Sequence, residues 1–228
     1  MSKTNLTELV FILDRSGSMS GLENDTIGGF NSMLTKQQKE PGECRITTVL
    51  FDHHYEILHD RIDIKAVSNM TEKEYYIRGC TALLDAIGKT INKIGSVQKN
   101  TAKEYRADRV LFVITTDGME NSSREFTYEK IKSKVEHQKS KYHWEFIFLG
   151  ANIDAMDVAS RVGIARDRTQ NFHNDSEGIA LNYDVVGDAI VKFRAAPSCA
   201  SAKLSDNWGS AIEEDYVRRS GKSREPSS

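Results

Sequence analysis

The stretch that decides the fold is Val10-Phe11-Ile12-Leu13-Asp14-Arg15-Ser16-Gly17-Ser18-Met19. Four apolar residues run into an aspartate, and a turn with two hydroxyls and one glycine follows at once. A short continuous apolar run closed by a turn reads as a strand buried on both faces, as in a parallel sheet. One carboxylate and two hydroxyls at i, i+2 and i+4 suit a hard cation, which takes oxygen ligands and keeps some of its water. Gly17 is read as letting the backbone bend between the hydroxyls, where a Cβ would resist. The competing reading is a plain strand-to-helix turn in which a serine caps the helix.

Outward from this run, apolar strand-like stretches alternate with amphipathic ones, the pattern of an α/β fold. Glu8 to Asp14 is the first strand. Glu23 to Lys39 is predicted helical, with Ile27, Phe30, Met33 and Leu34 at helical spacing and Pro41-Gly42 as the stop. Arg45 to Phe51 and His54 to Asp60, separated only by Asp52-His53, form an antiparallel hairpin in this reading. A helix is expected over Thr81 to Ile94, a buried strand over Arg109 to Thr115, a helix over Phe126 to His137 and a third buried strand over His143 to Leu149. A short helix over Ile153 to Val162 ends at Gly163. An edge strand over Thr169 to Phe172 and a long helix over Asp175 to Phe193 complete the pattern. The fold class is therefore α/β: a doubly wound, mostly parallel central sheet with helices on both faces and one antiparallel edge strand.

After Arg194 the pattern breaks. Pro197 begins a stretch rich in serine and charge, in which Trp208, Ile212, Tyr216 and Val217 stand nearly alone. The organisation expected is one domain over residues 1–194 and a polar tail over 195–228, disordered or docked only in part.

The chain has 228 residues, of which 28% are charged and 39% hydrophobic, the composition of a globular protein with a sizeable core. A formal net charge of -2 gives no global basic field toward nucleic acid or a membrane surface. No apolar run approaches the roughly 20 residues of a membrane helix. Cys44, Cys80 and Cys199 are an odd number without a CxxC pair, which argues against a disulfide framework. The opening residues lead straight into the first strand with no signal peptide, so a reducing cytoplasm is the expected compartment.

Two further segments match the first in chemistry. In Ile77-Arg78-Gly79-Cys80-Thr81-Ala82-Leu83-Leu84-Asp85 a hydroxyl follows a glycine at the mouth of a helix, where a threonine also serves as a cap. In Val113-Ile114-Thr115-Thr116-Asp117-Gly118-Met119-Glu120-Asn121 a buried strand again ends in Asp-Gly. All strand C-termini of a doubly wound sheet point to one edge, and ligands bind in the crevice there. Asp14 and Asp117 can thus end neighbouring strands, with Thr81 nearby and Asp117 near the surface.

Asp14-x-Ser16-x-Ser18, then Thr81, then Asp117 resembles the metal-ion-dependent adhesion site of von Willebrand factor A domains. The runs Asp-Arg-Ser-Gly-Ser-Met, Gly-x-Thr-Ala-Leu-x-Asp-Ala and Thr-Asp-Gly carry the resemblance, which covers residues 6 to 194 and looks most like the stand-alone prokaryotic and phage branch. Cys80 departs from the small residue expected at its position. The resemblance implies that Ser16 and Ser18 bind a cation directly and that Thr81 binds it directly or through water. Asp14 and Asp117 would supply charge, and one position would be left for a partner's carboxylate. Mg²⁺ is the first candidate, with Ca²⁺ and Mn²⁺ as alternatives.

The function expected is a divalent-cation-dependent protein-binding module rather than an enzyme. The partner would be another protein supplying an Asp or Glu, and relatives of this kind point to an ATPase or a stress-response or phage component. The alternative is a Mg²⁺-dependent phosphohydrolase in the same crevice. Against it, no histidine stands in the motif segments to act as a base, and Ser16 occupies the position where an Asp-nucleophile phosphatase wants a second acid. Nucleic-acid binding is disfavoured by charge balance. Glu120 and Asn121 either support the site or lie in a solvated loop, and Asp85 is read as a helix-surface or supporting residue. Arg15 and Arg78 either steer an acidic partner or are solvated charges. Asp52 is explained equally by turn chemistry, and His53 and His54 lack a second Cys or His pair at zinc spacing.

Overall fold

The structure is a computed structural model and describes residues 5–196 and 203–222. Six strands form one sheet in the order β3-β2-β1-β4-β5-β6. They are β1 (Thr7–Asp14), β2 (Cys44–Phe51), β3 (Tyr55–Asp63), β4 (Arg109–Thr116), β5 (Glu145–Ala151) and β6 (Thr169–Phe172). Every pairing is parallel except β2 with β3, so β3 is the antiparallel edge. The fold class read from the sequence is the one observed.

Strand alternation explains the two cores. Leu9, Phe11 and Leu13 of β1 face one side, where α1 (Glu23–Gln38) and α5 (Ser176–Ala195) bring Phe30, Leu34, Ile179 and Ile190. Val10 and Ile12 face the other, against Leu84, Ile87 and Ile91 of α2 (Leu83–Asn100), Ile131 and Val135 of α3 (Tyr128–Tyr142), and Val158 of α4 (Ala155–Arg161). Every residue of β1 is buried, as a central parallel strand covered on both faces must be.

Several boundaries differ from the sequence reading by two residues or more. The expected strand at His143 starts instead at Glu145, because α3 runs on to Tyr142 and His143 closes it in the left-handed conformation at φ 56°. A histidine there gives none of the warning that a C-terminal glycine gives. The third helix starts at Tyr128, two residues late, behind a Thr127 cap whose hydroxyl accepts from the Lys130 amide.

Of the stretch read as a tail, residues 197–202 and 223–228 lie outside the described residues, and Cys199 with them. The described part carries α6 (Ser210–Lys222). Leu204, Trp208 and Ile212 are buried in the same core as α5 and β6. The Trp208 indole donates to the Asp167 carbonyl at 2.8 Å, and Arg168 donates to the Leu204 carbonyl at 2.9 Å. This segment lies along β6, the edge that would otherwise present unpaired backbone.

Candidate metal centre

Strands β1 and β4 are neighbours, with Leu13 opposite Thr115, so Asp14 and Asp117 emerge side by side. The sheet runs β1-β2 one way and β1-β4 the other, which makes this the point where strand order reverses and a crevice opens.

Three hydroxyls gather there. Ser16 Oγ and Ser18 Oγ are 3.1 Å apart, and Thr81 Oγ1 donates to Ser16 Oγ at 3.0 Å. Neither capping alternative holds. Ser16 precedes a short 3-10 turn over Gly17–Met19 without a side-chain cap bond, and the residue before α2 is Ala82, also without one. A Cβ placed on Gly118 would stand 2.7 Å from Thr81 Oγ1 and 3.1 Å from Ser18 Oγ. Glycine at 118 therefore keeps open the space that the hydroxyls share.

Two carboxylates stand beside them. Asp14 is 2% exposed; its Oδ1 accepts from the Ser16 amide at 2.7 Å and its Oδ2 from the Thr116 hydroxyl at 2.7 Å. The Tyr75 hydroxyl donates to the Asp14 carbonyl at 2.6 Å and pins the strand end. Asp117, expected near the surface, is likewise only 2% exposed, because the β5–α4 and β6–α5 loops close over it. Its Oδ1 accepts from Asn152 Nδ2 at 2.6 Å and its Oδ2 from Asn174 Nδ2 at 2.5 Å. Burial pushes Asp117 up to about 6, the Asn152 amide opposing and the Asp14 charge adding to it. Burial also raises Asp14, against the hydrogen bonds from Ser16 and Thr116. Among the described residues no Lys, Arg or His side chain donates to either carboxylate.

The supporting residues are more numerous than the sequence suggested. Glu120 accepts from the amides of Leu84, Ser122 and Ser123, and Asn121 Oδ1 accepts from the Thr81 amide at 3.0 Å. Asp85 accepts from three successive amides, Arg124, Glu125 and Phe126. Together they fasten the loop after β4 to the mouth of α2. Asn152 and Asn174 were missed altogether, since each sits in a loop with no motif around it.

Arg15 corrects the reading of a steering or solvated charge: it is fully buried. Its Nε binds Asp52 Oδ2 at 3.0 Å, Nη2 binds Glu56 at 2.6 Å and Nη1 donates to the Glu74 carbonyl at 3.3 Å. Arg78 binds the same Asp52 oxygen at 2.7 Å. Gly17 has no left-handed backbone and a Cβ there would meet only an ordinary contact; the glycine whose backbone is left-handed is Gly79, in the segment before Thr81, at φ 70° with His53 packed on it. Asp52, His53 and His54 bring three potential ligand atoms within 4.8 Å of one another. Two guanidiniums already neutralise that carboxylate, however, which makes it a poorer cation site than the Asp14–Asp117 pair.

No protein-family model matches the sequence, and no curated protein matches it. Solved structures do. A von Willebrand factor type A protein from Catenulispora acidiphila superposes with a TM-score of 0.58 at 10% identity, over 82% of this chain and 42% of the other. The manganese-loaded TRAP protein of Plasmodium vivax gives 0.56 at 18% identity, over 78% and 72%. The von Willebrand factor domain of the type V pili tip protein Mfa5 from Porphyromonas gingivalis gives 0.56 at 11%, over 81% and 94%. The chain spans less than half the length of the first of these. Its fold is that of von Willebrand factor A domains.

Proposed function

We propose that Asp14, Ser16, Ser18, Thr81 and Asp117 hold one divalent cation, Mg²⁺ first and Mn²⁺ or Ca²⁺ as alternatives. The module binds a partner protein through that ion, the partner supplying an Asp or Glu. The observation that carries this reading is a pair of buried carboxylates with no cationic side chain of their own, set against three converging hydroxyls. Leaving such charges uncompensated is costly, and a divalent ion is the natural complement. The oxygen-only donor set fits Mg²⁺ and disfavours softer metals. The structurally similar TRAP protein is manganese-loaded, which supports a divalent cation as the kind of ion proposed.

When bound, the ion would offer an acidic partner a point of attachment. One carboxylate–metal contact costs dehydration of both groups, so most affinity must come from the surrounding surface. Met119, 72% exposed in the loop after β4, and Tyr76, 42% exposed beside Arg15 and Arg78, are exposed side chains that such a surface would use. An ATPase or a stress-response or phage component in the cytoplasm remains the class of partner proposed. No helix among the described residues is long and apolar enough to cross a membrane. The phosphohydrolase alternative has less support, because no histidine or lysine hydrogen-bonds into the site among the described residues to serve as a base.

Affinity capture from lysate with Mg²⁺ and with chelator tests the reading. A partner retained with Mg²⁺, released by EDTA and lost with Thr81→Ala supports it. Partners that stay bound in EDTA, or phosphoester turnover that disappears in Asp14→Ala, contradict it.

A further inference from the structure

We infer that helix α6 is a strut for the candidate metal centre, with Arg219 as a positioning residue that acts on Asp117 through Asn174. The inference rests on the proposed reading of Asp117 as part of a cation site.

The connection between β6 and α5 is only three residues long, His173, Asn174 and Asp175. The middle one donates its side-chain amide to Asp117 Oδ2 at 2.5 Å. Both of its neighbours are held by α6. The His173 ring stacks on Tyr216 with centroids 4.8 Å apart, and His173 Nε2 lies 3.2 Å from the Tyr216 carbonyl oxygen. Asp175 caps α5 by accepting from the Gly178 amide at 2.9 Å with one oxygen, while its other oxygen pairs with Arg219. Arg219 is in turn held by Asp215 at 3.2 Å, one turn back on the same helix.

The helix can act as a strut because it is anchored independently of this loop. Leu204, Trp208 and Ile212 are buried in the main core, and Trp208 is tied to the Asp167 carbonyl. The loop is also tightly seated: a Cβ on Gly178 would collide with the His173 carbonyl. Fixing both neighbours of Asn174 restricts its backbone before any cation arrives. The ordering cost is then met on folding rather than on binding. Outer hydrogen-bond partners that orient a ligand typically matter about 10- to 100-fold in metal affinity. Arg219 lies one step further out than Asn174, so its effect is smaller.

The test uses the full chain and Mn²⁺ alone, followed by calorimetry, with circular dichroism to confirm folding. Asn174→Ala is expected to weaken Mn²⁺ binding about tenfold or more. Arg219→Ala should weaken it about three- to tenfold, Arg219→Lys should restore part of the loss, and Tyr216→Ala should act in the same direction. In the Asn174→Ala background, Arg219→Ala should add almost nothing, since both act on one contact. Wild-type affinity in folded Arg219→Ala overturns the inference, as does an undiminished effect in the Asn174→Ala background. A second readout keeps it separate from the metal reading. In cation-free protein, the Asn174 side-chain amide resonances should shift in Arg219→Ala. If wild type binds no Mn²⁺, the metal reading fails while this shift still decides the strut; unchanged resonances overturn it.

Discussion

The hydroxyl of Thr81 donates to the hydroxyl of Ser16 across 3.0 Å, joining the mouth of α2 to the turn after β1. Neither hydroxyl caps a helix, although both stand where capping is the usual explanation. The Thr81 amide is also committed elsewhere, to Asn121. The contact is therefore specific to the crevice.

Thr81→Ala removes one of the three oxygens without touching either carboxylate. We expect Mn²⁺ affinity to fall about tenfold or more while stability changes by about 1 kcal/mol, the scale of one hydrogen bond. Thr81→Ser should keep most of the binding. Calorimetry and thermal melts decide; unchanged affinity in Thr81→Ala removes this residue from the ligand set.

Gly118→Ala places a methyl group 2.7 Å from Thr81 Oγ1. The hydroxyl cluster must spread or lose a member, so cation binding should fall below detection while the circular dichroism spectrum stays native. Full binding by this variant would show that the space above the hydroxyls is not used.

Proton and cation compete for the Asp14–Asp117 pair. With Asp117 pushed up to about 6, cation affinity should fall as pH drops through that value. Stability of the cation-free protein runs the other way. A carboxylate whose folded pKa is raised binds its proton more tightly in the folded state, so its ionisation costs stability above about 6. The cost is relieved as pH falls toward the ordinary value of 3.8. Mn²⁺ titrations and melts at about pH 5 and about pH 7.5 test both signs. Affinity independent of pH over this range would contradict the assignment of Asp117.

Arg15→Met should destabilise the fold by about 3 kcal/mol or more, because it leaves the buried Asp52 carboxylate with Arg78 as its remaining guanidinium partner. Arg15→Lys should recover little, since one ammonium cannot reproduce a fork shared by Asp52, Glu56 and the Glu74 carbonyl. Denaturant unfolding measures both. A loss under about 1 kcal/mol would mean that the ion cluster contributes little net stability.

Strand β1 and the helix after it were legible because burial on both faces leaves a continuous apolar run, and because Pro41-Gly42 punctuates the chain. The hydroxyls and the aspartates of the crevice were legible because each ends a strand or opens a helix. Asn152 and Asn174 were not: a loop asparagine looks the same whether it faces water or a carboxylate 2.5 Å away. The burial of Arg15 was hidden for a related reason, since its partners Asp52, Glu56 and Glu74 come from a hairpin and a loop that only the folded sheet brings together. Trp208 and Ile212 were lost in a polar stretch, where two apolar residues four apart do not announce a docked helix.

The proposed function stands on one cation among Asp14, Ser16, Ser18, Thr81 and Asp117. Crystals of the full chain soaked in Mn²⁺ test it through the anomalous difference map. A single strong peak is expected within about 2.3 Å of the Ser16 and Ser18 hydroxyl oxygens, close to the bond lengths of hard divalent ions. A peak at Asp52-His53-His54 instead, or no peak in the crevice at a saturating Mn²⁺ concentration, would contradict it.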